Sequence, residues 1–204
     1  NGQRGFKDED VPKDDYKRKL YEVGKQLLFE NDYHEIGMDH FALKTDSLYD
    51  AFQNRKMHRN FMGYSASKTQ LMIGLGVSSI SDSWYSFAQN VKNLEDYYQI
   101  LEWNKLPIAR GHLLTAEDLT IRKHILNLMC QFETSWENDD EKFDEIPEVI
   151  AQLREMEQDG LLTIVKNGIK VTEAGKAFVR NICMAFDLRL KRKVPDTELF
   201  SMTV

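Results

Sequence analysis

Gly37-Met38-Asp39-His40-Phe41-Ala42 is the stretch on which the fold reading turns. It follows a segment, Pro12 to Asn31, in which Leu20, Val23, Leu27 and Leu28 recur at helical spacing. Pro12 suits the first turn of that helix, and Asn31-Asp32 ends it. His34 to Met38 then reads as a short strand, so the unit is helix-then-strand, as in an α/β layer. Two further glycine-punctuated, polar-aromatic blocks follow: His58-Arg59-Asn60-Phe61-Met62-Gly63-Tyr64-Ser65 and Gly74-Leu75-Gly76-Val77-Ser78-Ser79-Ile80-Ser81.

Around these blocks the elements alternate. Thr45 or Asp46 can cap a helix running to about Lys56, with Leu48, Ala51 and Phe52 inward. Leu71-Met72-Ile73 reads as a buried strand, and Asn93 as the cap of a helix whose apolar side is Leu94, Tyr97, Tyr98 and Leu101. A boundary falls near Pro107 to Gly111, dividing the chain into residues 1–106 and 107–204. Thr115-Ala116-Glu117-Asp118 resembles a capping box and opens a helix carrying Ile121, Ile125, Leu128 and Phe132. The acidic stretch Glu137 to Glu145 reads as a solvated loop. Pro147 to about Asp159 is a helix ended by Gly160. Leu161 to Val171 is a hairpin in which Asn167-Gly168 would supply positive φ. Thr172 can cap a last helix burying Phe178, Ile182, Ala185 and Leu188. Helix, helix, hairpin, helix is the order of a winged helix.

Composition bounds the function classes. With 42% apolar and 29% charged residues the chain is a folded, soluble protein rather than a disordered one. No apolar run approaches the ~20 residues needed to span a bilayer. A net charge of −6 weakens any case for generic nucleic-acid binding. Cys130 and Cys183 show no CxxC spacing and suit buried thiols in a reducing compartment. The start Asn1-Gly2-Gln3-Arg4 has neither Met nor a hydrophobic signal, so the chain is expected to begin inside a longer product.

Several residues invite a chemical reading. Asp39 and His40 are neighbours at a strand end, where alternation would send them to opposite faces. They either face a cavity or fix a turn. His58-Arg59-Asn60 is a dense donor set that suits a carboxylate ligand or an internal salt bridge equally well. Gly74-Leu75-Gly76 is a weak phosphate loop but a credible place for close backbone approach. Trp84, Tyr85 and Phe87 read as core before ligand platform. Lys166, Lys170, Lys176, Arg180, Arg189, Lys191, Arg192 and Lys193 form a basic set, read as a solvated face before a phosphate contact.

The ordered blocks Gly37 to Ala42, His58 to Ser65, Gly74 to Ser81, Ala88-Gln89-Asn90, Arg110-Gly111 and Arg180 to Met184 resemble the oxygen-independent coproporphyrinogen III oxidase family of radical S-adenosylmethionine enzymes. The resemblance covers nearly the whole chain. It implies a fold of α/β plus α: residues 1–106 would be the last part of an incomplete α/β barrel. Residues 107–204 would be a mainly helical, winged-helix-like C-terminal domain acting as a lid. It implies oxidative decarboxylation of coproporphyrinogen III to protoporphyrinogen IX in haem synthesis, in the cytoplasm. The cofactors implied for a full-length protein are S-adenosylmethionine and a [4Fe-4S] cluster. Ile80 matches a backbone contact to S-adenosylmethionine, and Phe61 and Met62 match positions near a second such molecule. Some members carry Gln at the position of Met62. Asp39, His40 and Arg59 match blocks beside the substrate cavity.

The family's CxxxCxxC motif is absent, and two cysteines cannot replace three cluster ligands. The expectation is therefore an inactive C-terminal fragment that holds no cofactor by itself and exposes edges through which it self-associates. Neither membrane nor nucleic acid is expected as a partner. Two rival readings are a haem-binding chaperone-like relative, with His40 or His58 as ligand, and a winged-helix nucleic-acid module.

Overall fold

A computed structural model of the chain describes residues 5, 7 and 10–192. Asn1-Gly2-Gln3-Arg4 and Lys193 lie outside the described residues. Helix α1 (Asp14–Glu30) leads into β1 (Tyr33–Gly37), which turns through Met38 and Asp39 into β2 (His40–Leu43). Met38 sits at φ 56°, and the register slips between Glu35 and Gly37. Tyr21 on α1 donates to Glu35 (2.7 Å) and to the Met38 carbonyl (3.1 Å), which pins helix to hairpin. The Asp46 carboxylate accepts the Leu48 N–H and so caps α2 (Ser47–Gln53). A second hairpin, β3 (His58–Asn60) with β4 (Gly63–Ser65), follows.

An antiparallel sheet comes next, in the order β5 (Leu71–Met72), β6 (Ile80–Ser83), β7 (Ser86–Asn90) and β8 (Ile108–Leu113). Helix α3 (Leu94–Glu102) connects β7 to β8, capped by Asn93 as anticipated. β8 lies beyond residue 106, yet it pairs with β7 along its length.

Helix α4 (Ala116–Gln131) opens on the expected capping box: the Thr115 hydroxyl accepts the Asp118 N–H, and the Asp118 carboxylate accepts the Thr115 N–H. Then come β9 (Glu133–Ser135), α5 (Ile146–Gln158), β10 (Leu162–Val165) and β11 (Gly168–Val171), the strands forming one sheet in the order β10-β11-β9. A 3-10 turn (Ala174–Phe178), α6 (Val179–Met184) and α7 (Leu188–Arg192) complete the described chain. The core is concentrated in this second half, around Leu128, Val149, Leu153, Ile169, Ile182 and Phe186. His124 is enclosed within it, bridging Thr134 Oγ1 (2.8 Å) and the Glu141 carbonyl (2.7 Å). Each ring nitrogen has a partner, which is what a buried imidazole requires.

The structure corrects several local expectations. Leu71 and Ile73 are exposed, because β5 is an edge strand with an uncovered face. Leu94, Tyr98 and Leu101 are likewise exposed on α3, and Leu20, Val23 and Leu27 on α1. Their periodicity is helical as expected, but no described residue covers those faces. The acidic stretch is not all solvated: Glu141 is buried and accepts from Asn138 while pairing with Lys123 at 2.8 Å. The last helix is three short pieces instead of one.

The Lys166-Asn167 turn uses no positive φ. Gly168 serves a different purpose: it lies in β11, and a Cβ there would meet the Thr134 carbonyl oxygen at 2.4 Å. Glycine lets β9 close on β11. Gly168→Ala is therefore expected to lower unfolding free energy by about 1–3 kcal/mol, read as a shifted urea midpoint at unchanged slope. A midpoint equal to that of the parent would refute the close-approach account.

Candidate functional site

Two contacts beside the cavity seat the first half of the chain on α4. Tyr64 of β4 donates through Oη to the Met129 carbonyl at 3.0 Å. The phenol fits because residue 37 is glycine: a Cβ there would lie 2.6 Å from Tyr64 Oη. Burial drives the Tyr64 pKa upward, so the hydroxyl stays a donor. The second contact is Arg122 of α4, which clasps Asp82 of β6 through two bonds of 2.9 and 3.0 Å. Arg122 also donates to the Ser83 and Trp84 carbonyls and lies about 5 Å from the Trp84 and Phe87 rings. Both partners of the pair are largely enclosed.

These contacts leave a cavity of about 640 Å³ between the two halves. Its floor is the sheet face bearing Asp82, Phe87 and His112, which are neighbours across β6, β7 and β8. One wall is the β3–β4 hairpin, with Arg59, Asn60 and Phe61. The far side is α4 together with α6 and α7, including Ile121, Ile125, Met129, Arg180 and Leu188. That volume and largely apolar lining are typical of a small-molecule pocket.

The expected site residues divide into four groups. Arg59 and Phe61 line the cavity; Arg59 lies 4.6 Å from the Tyr64 ring centroid, and Phe61 meets Phe87 edge-on at 5.1 Å. Ile80 lies two residues before Asp82 on β6 and so shares the sheet face that forms the floor, beyond the lined volume. Met62 is 84% exposed at the hairpin tip, its N–H bonded to Asn60 Oδ1. Asp39 and His40 stand behind the wall, with the His40 ring edge-on to Tyr64 at 5.2 Å. They are not on opposite faces. Asp39 belongs to the turn, where strand alternation does not apply, and its Oδ1 lies 2.8 Å from His40 Nδ1. That approach lacks the angles of a directed hydrogen bond.

Sequence reasoning passed over Arg122, Asp82 and His112. Arg122 and Asp82 are forty residues apart, and each looks like an ordinary surface charge in its own segment. His112 directly follows the quoted pair Arg110-Gly111, which was its one available signal. Trp84 stands outside the buried core: Lys68 Nζ is 4.1 Å from its ring centroid, with Arg122 also against the ring. Much of the basic set is internally paired, Arg189 with Asp118, Arg192 with Glu117 and Lys176 with Glu173.

No protein-family model matches the chain. It is 35% identical over 196 residues to the oxygen-independent coproporphyrinogen III oxidase of Escherichia coli K12, covering 94% of this chain and 43% of that protein. With the protein of the same name from Synechocystis it shares 33% over 211 residues, covering 99% and 45%. A solved structure, described as coproporphyrinogen III oxidase (HemN) from Escherichia coli, a radical SAM enzyme, matches with a TM-score of 0.85 at 36% identity. That match covers 92% of this chain and 44% of the other. The chain is homologous to a part of oxygen-independent coproporphyrinogen III oxidase. It spans less than half the length of these relatives. The rival haem-chaperone and nucleic-acid readings are not favoured by relatives bearing the oxidase name.

A radical SAM oxidase needs an iron–sulfur cluster, and the donors of this chain do not suit one. Among the described residues no three His, Cys, Asp or Glu side chains gather as a metal site. Cys130 and Cys183 are both buried, and burial pushes each thiol up to about 12, away from the thiolate a metal takes. No helix among the described residues is long and apolar enough to cross a membrane.

His58, at the base of the hairpin, is buried, and its pKa is lowered by desolvation first and then by Lys68 and Arg122. The folded chain keeps it neutral, while the unfolded chain takes up a proton near the ordinary value of about 6.5. Its stabilising contribution is thus complete above that value and fades as pH falls below it. The melting temperature should drop between pH 7 and pH 5.5, and His58→Gln should flatten that drop. Equal slopes for the two proteins in scanning fluorimetry would refute the assignment.

Proposed function

We propose that this chain forms part of an oxygen-independent coproporphyrinogen III oxidase, contributing walls and a cover to the chamber in which coproporphyrinogen III loses two carboxyl groups. What carries the reading is the match along nearly the whole chain, at a TM-score of 0.85, to a protein of that name. The cavity between the halves supports it, since Arg59 and Phe61 both line it. In the same reading residues 1–106 close an incomplete α/β barrel, and residues 107–204 are the winged-helix-like lid.

When bound in such an enzyme, S-adenosylmethionine and its [4Fe-4S] cluster supply the radical that starts the oxidation of each propionate. In this chain Ile80 would offer backbone at the edge of the sheet face, and Phe61 a ring surface. Met62 would add an exposed thioether at the hairpin tip. These residues position and exclude water; they provide no charge to the reaction. The iron ligands come from outside the 204 residues, because the thiols here do not suit the task. Arg59 would orient a substrate carboxylate, and Asp39 with His40 would buttress the Tyr64 ring behind it.

The parent polypeptide, purified without oxygen, should hold iron and convert coproporphyrinogen III to protoporphyrinogen IX with S-adenosylmethionine present. Absence of turnover in an iron-loaded preparation would refute the reading. The exposed apolar faces of α1, α3 and β5 are proposed to be covered by the rest of such a protein, or by a second copy when the chain stands alone. Light scattering on the isolated chain should give a mass well above 23.8 kDa; a clean monomer would count against this.

A further inference from the structure

We propose that Arg59, His112 and Arg180 form a carboxylate-binding set in the cavity, left uncommitted by the fold so that an acid arm of a large, largely apolar ligand can satisfy them. This deepens the reading above and rests on it for the identity of the ligand.

The cavity holds four arginines, and two are already used. Arg122 is clasped by Asp82, and Arg189 makes two bonds, of 2.6 and 2.7 Å, with Asp118. The acidic side chains are accounted for in the same way. Glu117 accepts from Arg192 at 2.7 Å, and Asp187 accepts the Leu190 N–H at 2.9 Å. Of the cavity's cationic and imidazole side chains, Arg59, Arg180 and His112 have no such partner among the described residues, while Asp187 keeps its charge against a single backbone N–H.

Arg59 Nη1 and His112 Nε2 are both shut away from solvent with no hydrogen-bond partner. They are two of three such side-chain atoms among the described residues, and both residues line this cavity. Unpaired buried donors are rare in folded proteins, since leaving one so is costly. His112 Nε2 lies 3.4 Å from Asp118 Oδ2, but that carboxylate already receives Arg189 and Thr115. Arg180, exposed on α6, has no ion pair or hydrogen bond with a described residue.

The geometry suits a carboxylate. The guanidinium of Arg59 is held against the Tyr64 ring at 4.6 Å, and a fixed planar fork matches two oxygens. The same lining carries Phe61, Phe87, Ile121, Ile125 and Leu126. Such a surface takes a large hydrocarbon body while the donors take its acid arms.

The test titrates coproporphyrin III, an oxidised and stable stand-in, into the 204-residue chain and follows the Soret band and tryptophan quenching. Arg59→Gln and Arg180→Gln should each weaken binding by roughly tenfold or more. His112→Phe should weaken it too, and the uncharged tetramethyl ester should bind the parent chain no better than it binds the variants. Arg180 is exposed and has no partner among the described residues, so its replacement is expected to leave the fold intact; circular dichroism and melting check all three variants. Unchanged affinity in Arg180→Gln and in folded Arg59→Gln would overturn the proposal, as would equal binding of acid and ester, or no binding of the acid. Activity of the parent polypeptide is scored separately. Turnover with unchanged affinities would sink this inference alone. Altered affinities without turnover would leave the carboxylate set standing and remove the oxidase reading.

Discussion

The clasp between Arg122 and Asp82 is the interaction on which the remaining architecture depends. It ties α4, the longest helix of the second half, to the antiparallel sheet of the first. A largely enclosed ion pair is a weak source of net stability, since desolvation offsets much of the attraction. Its value here is positional. Nη2 bonds to both oxygens of one carboxylate, Nη1 bonds to two backbone carbonyls, and two aromatic rings flank the guanidinium, which together allow it a single orientation. With α4 fixed at that distance, the hairpin of β3 and β4 fills one side, and the space between becomes a pocket instead of a packed interface.

Tyr64 completes the same frame from the other side. Its hydroxyl bonds to the α4 backbone, its ring supports Arg59, and His40 packs edge-on against it. The first conspicuous block in the sequence, Gly37 to Ala42, therefore acts at one remove. Gly37 makes room for the phenol, and His40 steadies its ring. Asp39 and His40 work behind the wall, and Arg59 and Phe61 work on its surface. A shared aromatic side chain joins the two groups.

Local order was largely legible in the chain. Caps at Asp46, Asn93 and Thr115 stand where residue chemistry put them, because each is a short-range bond between a side chain and an N–H two or three residues on. What periodicity could not disclose was what covers a face. Leu94, Tyr98 and Leu101 repeat as a buried stripe would, yet they are exposed. The Asn167-Gly168 pair misled for a related reason: a turn signal and a close-approach signal both call for glycine, and only the neighbouring strand distinguishes them. The cavity was half legible. Arg59 and Phe61 stood in a dense block, whereas Arg122, Asp82 and His112 gain meaning only when segments far apart in sequence meet.

Gly74 carries a quieter lesson. A methyl group there would lie 2.8 to 3.0 Å from the carbonyl, carbon and nitrogen of Ile80. The peptide planes at the start of β6 thus rest directly on the main chain of residue 74. A position with no reactive atom sets the height of its neighbour by lacking one. Natural variation would register it as intolerant for reasons of clearance, in a loop that otherwise looks free to drift.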